Sequence, residues 1–235
     1  MKNSAIRKIA LAFIAFTATA APFASHAELR SKSGELIVLE PHNLPEQVQV
    51  TGNSMFLHSD NDGNTYLYIE QRDGARLVVL NVTDPAHIKA VSSTPLSVDG
   101  PFDFVRSLDG NAELLRFRDG KGVAVLDLKK ASKPSIRVVA GLVDPGPTEP
   151  LGESGYLGVN EPYAYVRAIP RDYQVVDLST PSEPTLLATV KQVKHKVVNT
   201  DTGTTFLLGN DGLTVIRRIS VENDYKTQQM QMQGN

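Results

Sequence analysis

Cysteine is absent from the 235 residues of this sequence. The absence excludes disulfide bonds, a thiolate zinc site, a thiol nucleophile and a cysteine-linked lipid anchor. A chain of this length can bury a substantial core without such cross-links. We therefore expect a fold that side-chain packing and hydrogen bonding stabilise alone.

Sequence motifs for hydrolysis and for calcium binding are also missing. No Gly-x-Ser-x-Gly occurs, and residues 152–155 (GESG) lie one residue off that pattern, outside any strand-to-helix turn. The segment His58–Asn64 resembles a calcium loop, but Thr65 and Gln71 stand where such a loop needs glycine and glutamate. A hairpin turn explains the same residues.

Long apolar runs are missing except at the N-terminus. There a basic start, containing Lys2, Arg7 and Lys8, precedes the apolar run Ile9–Phe16 and a small-residue stretch. This run is shorter than the roughly 18 residues that span a bilayer, and its flanks are typical of a secretory signal peptide. We predict a signal peptide over residues 1–27 and a periplasmic or secreted protein with no membrane span after its removal.

The net charge narrows the range of partners. Removing residues 1–27 would leave 21 basic against 26 acidic side chains, a formal charge of −5. A mildly acidic balance argues against nucleic acid and against anionic membrane surfaces as partners.

The sequence pattern of the remaining chain is typical of short β-strands. Apolar runs alternate with Gly, Asp, Asn and Pro, and no window has a convincing helical period. One unit contains four strand-like runs: Met55–His58, Tyr66–Glu70, Leu77–Val82 and Ile88–Ser92. Such an antiparallel meander of about 40 residues has the size of a propeller blade.

The unit repeats along the chain. The third strands begin at residues 36, 77, 123, 173 and 213. We predict an all-β fold, a small β-propeller of four or alternatively five four-stranded antiparallel blades over residues 28–225. The N-terminal strands in Leu36–Gly52 are predicted to complete the last blade, because closure hides exposed sheet edges. Residues 226–235 are predicted to form a disordered polar tail, and residues 28–33 a solvated leader.

One sequence segment resembles the repeat of a known family. Tyr173–Pro184 (YQVVDLSTPSEP), preceded by Tyr163–Val166 (YAYV), resembles the LVIVD-repeat family of exported bacterial β-propeller proteins. The resemblance covers residues 36–218 and is close in the third unit. The second unit departs from it at Lys129–Ala131, and the fourth has Arg217 where the family has Asp. The resemblance implies a propeller and an extracytoplasmic setting, but no catalytic residue set.

The polar residues of this phrase have a structural explanation. Asn81, Asp127 and Asp177 come near predicted strand ends, where a short side chain can accept backbone N–H bonds. Prolines that follow, such as Pro85 and Pro181, fix φ and stop the ladder. We interpret these residues as turn-forming.

Histidines could supply a metal or catalytic site only through tertiary structure. After residue 27 they are His42, His58, His87 and His195, with no paired spacing. His58 and His195 lie at or near first strands of their units, so they could approach each other. We predict no catalytic, metal-binding or cofactor-binding residue.

Two segments are candidates for a binding surface. Glu70, Arg118 and Arg167 end the second strands of three units, which would place them on one face as a partly basic rim. Glu149 and Glu153 lie in the Gly/Pro-rich insertion 143–155, the longest loop between units. The alternatives are a solvated rim and a tolerated insertion.

These observations favour a non-enzymatic binding or scaffold protein that presents loops to a protein or glycan partner in the cell envelope. The alternative is a periplasmic hydrolase or lactonase-like enzyme with a site at the channel mouth. Three or more converging Asp, Glu or His side chains would favour the enzyme. A third possibility is a structural subunit of an envelope assembly.

Overall fold

The computed structural model describes residues 28–98, 100–108, 111–118, 120, 122–139, 148–150, 156–158 and 169–233. The expected signal peptide, residues 1–27, lies outside them. The described strands are, in chain order, β1 (Leu29–Arg30), β2 (Leu36–Leu39), β3 (Ser54–Ser59), β4 (Thr65–Gln71), β5 (Arg76–Asn81), β6 (Lys89–Pro95), β7 (Phe102–Leu108), β8 (Ala112–Phe117), β9 (Val123–Asp127), β10 (Ser135–Val139), β11 (Thr148–Pro150), β12 (Tyr156–Gly158), β13 (Arg171–Asp177), β14 (Thr185–Val193), β15 (His195–Asn199), β16 (Thr204–Gly209) and β17 (Gly212–Arg218). One α-helix, α1 (Ile219–Gln233), follows them.

The first and second predicted units are both four-stranded antiparallel sheets. Sheet I has the order β3-β4-β5-β6, and sheet II has the order β10-β9-β8-β7. In sheet I, Leu67 and Ile69 point to one face and Tyr68 to the other, and all three are completely buried. Because strand side chains alternate between faces, this sheet is covered on both sides. The all-β, four-stranded prediction is confirmed for these units.

The third unit is described only in part. Strands β13 and β14 form an antiparallel pair, sheet III, and β11 pairs with β12. The predicted second strand, Tyr163–Arg167, lies outside the described residues.

The first and last parts of the chain share a sheet. Sheet IV has the order β1-β2-β17-β16-β15, with Leu39 opposite Val215 and Leu36 opposite Arg218. The N-terminal strand β2 therefore occupies the fourth position of the last unit, as the sequence predicted.

The rest of the N-terminal segment differs from the prediction. After β2 the chain forms two short 3-10 turns, Pro41–Asn43 and Glu46–Val48, instead of a further strand. Prolines at 41 and 45 cannot donate to a ladder, which explains the early end of β2. The additional strand is β1, which lies within the expected solvated leader.

Three apolar clusters connect the sheets face to face. One lies between sheets IV and I and includes Leu39, Leu80 and Val215; a second joins sheets I and II. A smaller one joins sheets III and IV through Val190 and Leu207. The row of sheets is thus III–IV–I–II, and no sheet of the described chain closes this row into a ring. The first strands β15, β3 and β7 lie side by side along it.

Helix α1 is a further difference from the prediction of a disordered tail. It begins with a buried ion pair, in which Arg217 Nε and Nη2 donate to Glu222 Oε1 and Oε2 at 2.8 and 2.7 Å. Ser220 N donates to Glu35 Oε2 at 3.0 Å, and Lys226 Nζ lies 3.3 Å from Asp84 Oδ1. Polar contacts and the packing of Ile219 against the core hold the helix, so its sequence has no apolar stripe to reveal it.

Candidate functional site

A cluster of polar side chains lies where the three adjacent first strands begin. Lys194 Nζ donates to Asn53 Oδ1 at 3.5 Å, and Ser54 Oγ donates to Phe102 O at 3.0 Å. These bonds show that β15, β3 and β7 start at the same end of their sheets. We call the residues gathered there the junction cluster: Asn53, Glu70, Asp73, Asp103, Arg118, Lys194 and His195.

Asn53 connects most members of the junction cluster. Its Nδ2 donates to Glu70 Oε1 at 3.4 Å and to Asp73 Oδ1 at 3.2 Å. Its backbone carbonyl accepts a bond from Arg118 Nη2 at 3.3 Å. The side chain and backbone carbonyl of this one asparagine, which directly precedes β3, therefore bridge sheet I, sheet II and the segment before β15.

Arg118 and Asp103 form the ion pair of this cluster. Arg118 Nη2 and Nε lie 2.6 and 3.1 Å from Asp103 Oδ1. The two side chains are 13% and 25% exposed, so water screens the pair less than a surface pair. The turn after β8 positions Arg118, whose backbone N–H donates to Pro101 O at 2.9 Å.

Glu70 is the buried carboxyl of the cluster. Its exposed fraction is 0%, and Oε2 has no hydrogen-bond partner in the part of the chain that the structure describes. Oε1 accepts a bond from Gly74 N. Burial raises the pKa of Glu70 to about 7, although the nearby Arg118 guanidinium opposes the shift. This carboxyl can therefore exchange a proton near neutral pH.

The hairpin turn beside Glu70 has a conformational requirement. Gly74 has φ +89°, and a Cβ there would lie 2.0 Å from Gly100 O. Only glycine accepts both conditions. The turn therefore packs tightly against the segment that connects sheets I and II. This packing accompanies the exclusion of water from Glu70.

His195 also lies in this cluster. Burial lowers its pKa, with Asp103 acting in the opposite direction and Arg118 in the same one. Its Nδ1 has no hydrogen-bond partner among the described residues. Perturbed titratable groups that converge in this way occur both at functional sites and in structural ion networks.

The structure brings together two of the five predicted surface residues. Glu70 and Arg118 meet in the junction cluster, but Glu70 is buried rather than on an exposed rim. Arg167 and Glu153 lie outside the described residues, and only the backbone of Glu149, in β11, is described. The cluster also contains Asn53, Asp103, Lys194 and His195, which sequence analysis did not group. Each of these residues lies at or next to the start of the first strand of its unit. That shared position was the sequence signal that could have grouped them.

The approach of His58 to His195 that the sequence left open is not observed. His195 begins β15, whereas His58 lies near the end of β3. Because these strands begin at the same end, the two histidines lie at opposite ends of two neighbouring strands. His58 instead contacts aromatic rings, with its centroid 6.2 Å from Phe56 and 6.5 Å from Tyr68.

The calcium-like segment forms a hairpin turn. Asp60 Oδ1 accepts backbone N–H bonds from Asp62 at 3.0 Å and from Asn64 at 2.8 Å. Across the described ranges, no group of three or more His, Cys, Asp and Glu side chains is placed to hold a metal ion.

The turn-forming role of the repeated Asx residues is confirmed. Asn81, Asp127 and Asp177 each accept the backbone N–H of the residue two positions later, at 3.0, 2.9 and 2.9 Å. Asp177 Oδ2 additionally accepts Lys32 N at 2.9 Å, which joins sheet III to the N-terminal segment.

These features define an all-β protein built from repeated antiparallel sheets with Asx-closed turns. Residues 152–192 match the family model of the LVIVD repeat, so the chain carries an LVIVD repeat, in the unit where the resemblance was predicted to be close. No curated protein shows significant similarity to the chain. Within the described helical structure, nothing is long and apolar enough to cross a membrane.

Proposed function

We propose that this protein is an exported, non-enzymatic β-propeller of four blades that presents loops to a protein or glycan partner in the cell envelope. The pairing of β2 with β17 is the observation that carries the proposal, because it puts the first and last units in one sheet. A sheet shared in this way suits a closed ring, which leaves no long unpaired edge.

The polar side chains of the repeat form turns, and this structural role favours a binding function over catalysis. The Asx side chains of the repeat are engaged with turn N–H groups. The loops at the two ends of such a scaffold are then available for contacts, as loops on rigid scaffolds often are. The insertion 143–155, of which the structure describes only β11, is the segment that we propose for such contacts.

Cell fractionation and a binding assay test this proposal. The full chain, expressed with a C-terminal tag, is expected in the periplasmic or secreted fraction with Glu28 as its first residue by mass spectrometry. It should bind envelope material saturably, and a short Gly/Ser loop in place of residues 143–155 should weaken that binding. A cytoplasmic, uncleaved chain would overturn the export, and absence of saturable binding would overturn the scaffold function.

A hydrolase or lactonase-like activity is the second candidate. The junction cluster favours it, since a buried carboxyl with a pKa of about 7 lies near an arginine and a histidine. Turnover of ester or lactone substrates that Glu70→Gln abolishes, while the variant stays folded at the pH of the assay, would establish this function. Equal turnover by both proteins would exclude the cluster as its site.

A further inference from the structure

The turn between β9 and β10, residues 128–134, contains Lys129, Lys130 and Lys133, and we call it the lysine turn. All three lysines are exposed. None forms an ion pair within the described part of the chain. The whole sequence has 26 acidic and 24 basic side chains, so three adjacent cations are a local excess that the net charge conceals.

The same turn is built twice elsewhere without lysine. In each of the three turns an Asx side chain accepts an N–H two residues later. A second, backbone bond joins His87 N to Asp84 O at 2.9 Å, Lys133 N to Lys130 O at 2.9 Å, and Glu183 N to Thr180 O at 2.8 Å. The three lysine positions are occupied in the sibling turns by Thr83, Asp84 and His87, and by Ser179, Thr180 and Glu183.

The lysines are therefore not needed to form the turn. Three cations within five residues also repel one another, which opposes folding slightly. The turn itself is fixed, because Ser92 Oγ donates to Ala131 O at 2.9 Å and Pro134 is buried. A fixed turn thus displays three charges that form no ion pair with any residue the structure describes.

We propose that the lysine turn binds an acidic polysaccharide, a carbohydrate chain with carboxylates on successive sugars. This inference rests on the proposed function and names the class of its partner. Lysine ammonium groups are compact charges on flexible stems, so they can follow carboxylates of variable spacing. Three such contacts act together along one polymer, although each alone is weak.

The surroundings of the turn argue against two other anionic partners. Its large apolar residue, Leu128, is buried. The exposed surface of residues 128–134 therefore has neither the apolar centre of a protein interface nor a side chain to insert into a membrane. Exposed charge alone is sufficient for contacts with the carboxylates of a carbohydrate chain.

Fluorescence anisotropy with labelled oligogalacturonate tests the inference directly. The test variant replaces all three lysines by small polar residues resembling those of a sibling turn: Lys129→Ser, Lys130→Thr and Lys133→Ser. The control has the same change in net charge on other elements: Lys32→Ser, Lys191→Thr and Lys196→Ser. We expect the test variant to weaken binding about tenfold or more and the control to change it less than about twofold.

Binding should also weaken as salt is raised, because the contacts are between exposed charges. Equal binding by the test and control variants would overturn the inference, as would stronger binding to anionic vesicles or duplex DNA than to oligogalacturonate. If the test variant loses oligogalacturonate but still binds envelope material, the scaffold function stands with a second contact. If no envelope material binds the parent protein, the proposed function itself fails.

Discussion

At the scale of single residues, buried ionisable groups determine how stability depends on pH. Glu70 and Glu113 are 0% and 1% exposed, and burial raises their pKa values to about 7 and about 8. A carboxyl with a raised pKa binds its proton more tightly in the folded state than in the unfolded one. Its contribution therefore decreases as pH rises from its ordinary pKa of 4.5 to its folded pKa, and stays constant above that.

Glu70→Gln is expected to remove the contribution of Glu70 to the pH dependence of the unfolding free energy. Relative to the variant, the parent should lose about 3 kcal/mol of unfolding free energy as pH rises from about 4.5 to about 7. Urea unfolding across this range measures the difference. Glu113→Gln serves as the matched control, and its difference from the parent should extend to about pH 8. Parallel curves for parent and Glu70→Gln would show that Glu70 is not protonated in the fold.

The buried pair Arg217–Glu222 is the second residue-scale test. Its side chains are 8% and 2% exposed, so Glu222→Ala leaves an uncompensated charge and should cost about 3–5 kcal/mol of stability. Replacing both residues by Met and Leu should cost less than the single change, because no buried charge remains.

An exposed pair provides the control for that experiment. Lys32 and Glu183 are 61% and 78% exposed and 4.0 Å apart. Glu183→Ala should therefore change stability by less than about 0.5 kcal/mol. Thermal unfolding of the three variants measures these values. A Glu222→Ala protein as stable as Glu183→Ala would contradict the claim that Arg217 and Glu222 form a buried, stabilising ion pair.

At the scale of secondary-structure elements, β2 is the strand on which the last sheet depends. Ile37, Val38 and Leu39 are 2%, 0% and 6% exposed. Burying three such side chains contributes about 5–9 kcal/mol before the entropy of ordering the strand is subtracted. That amount is comparable with the net stability of a whole domain, about 5–15 kcal/mol.

Deleting residues 28–40 from a chain that begins at Glu28 should therefore cause aggregation or loss of cooperative unfolding. Deleting residues 227–235 should leave the melting temperature almost unchanged, since the buried anchor of α1 is Glu222 and the methionines of its last turns are 66% exposed. Calorimetry compares the two. A sharp, unshifted transition after the N-terminal deletion would refute the role of β2.

At the scale of the whole molecule, the proposed closed ring and an open row of the sheets III–IV–I–II differ in their overall dimensions. A closed, compact particle of this length should have a radius of gyration of about 17 Å. Small-angle scattering measures it directly. A clearly larger value with an elongated profile would favour an open row of sheets over the proposed propeller.

The sequence alone was sufficient for the strands of the first two units and for the repeated Asx turns. Runs such as Leu77–Leu80 and the Asx residues 81, 127 and 177 lie where they were predicted. Both signals are local: the turn bond spans two residues, and the limits of a strand depend on its own apolar residues and the turns beside it. The sequence also located the LVIVD repeat and the place of β2 in the last sheet.

Only the tertiary structure decided the sites and the C-terminal helix. Glu70 is buried because sheet II covers that face of β4, and the junction cluster exists because three first strands start at one end. Helix α1 depends on Glu222 meeting Arg217 and on Ser220 meeting Glu35, 185 positions away. Contacts between distant segments leave no periodic signal in sequence, so their energies become visible only when the sheets pack.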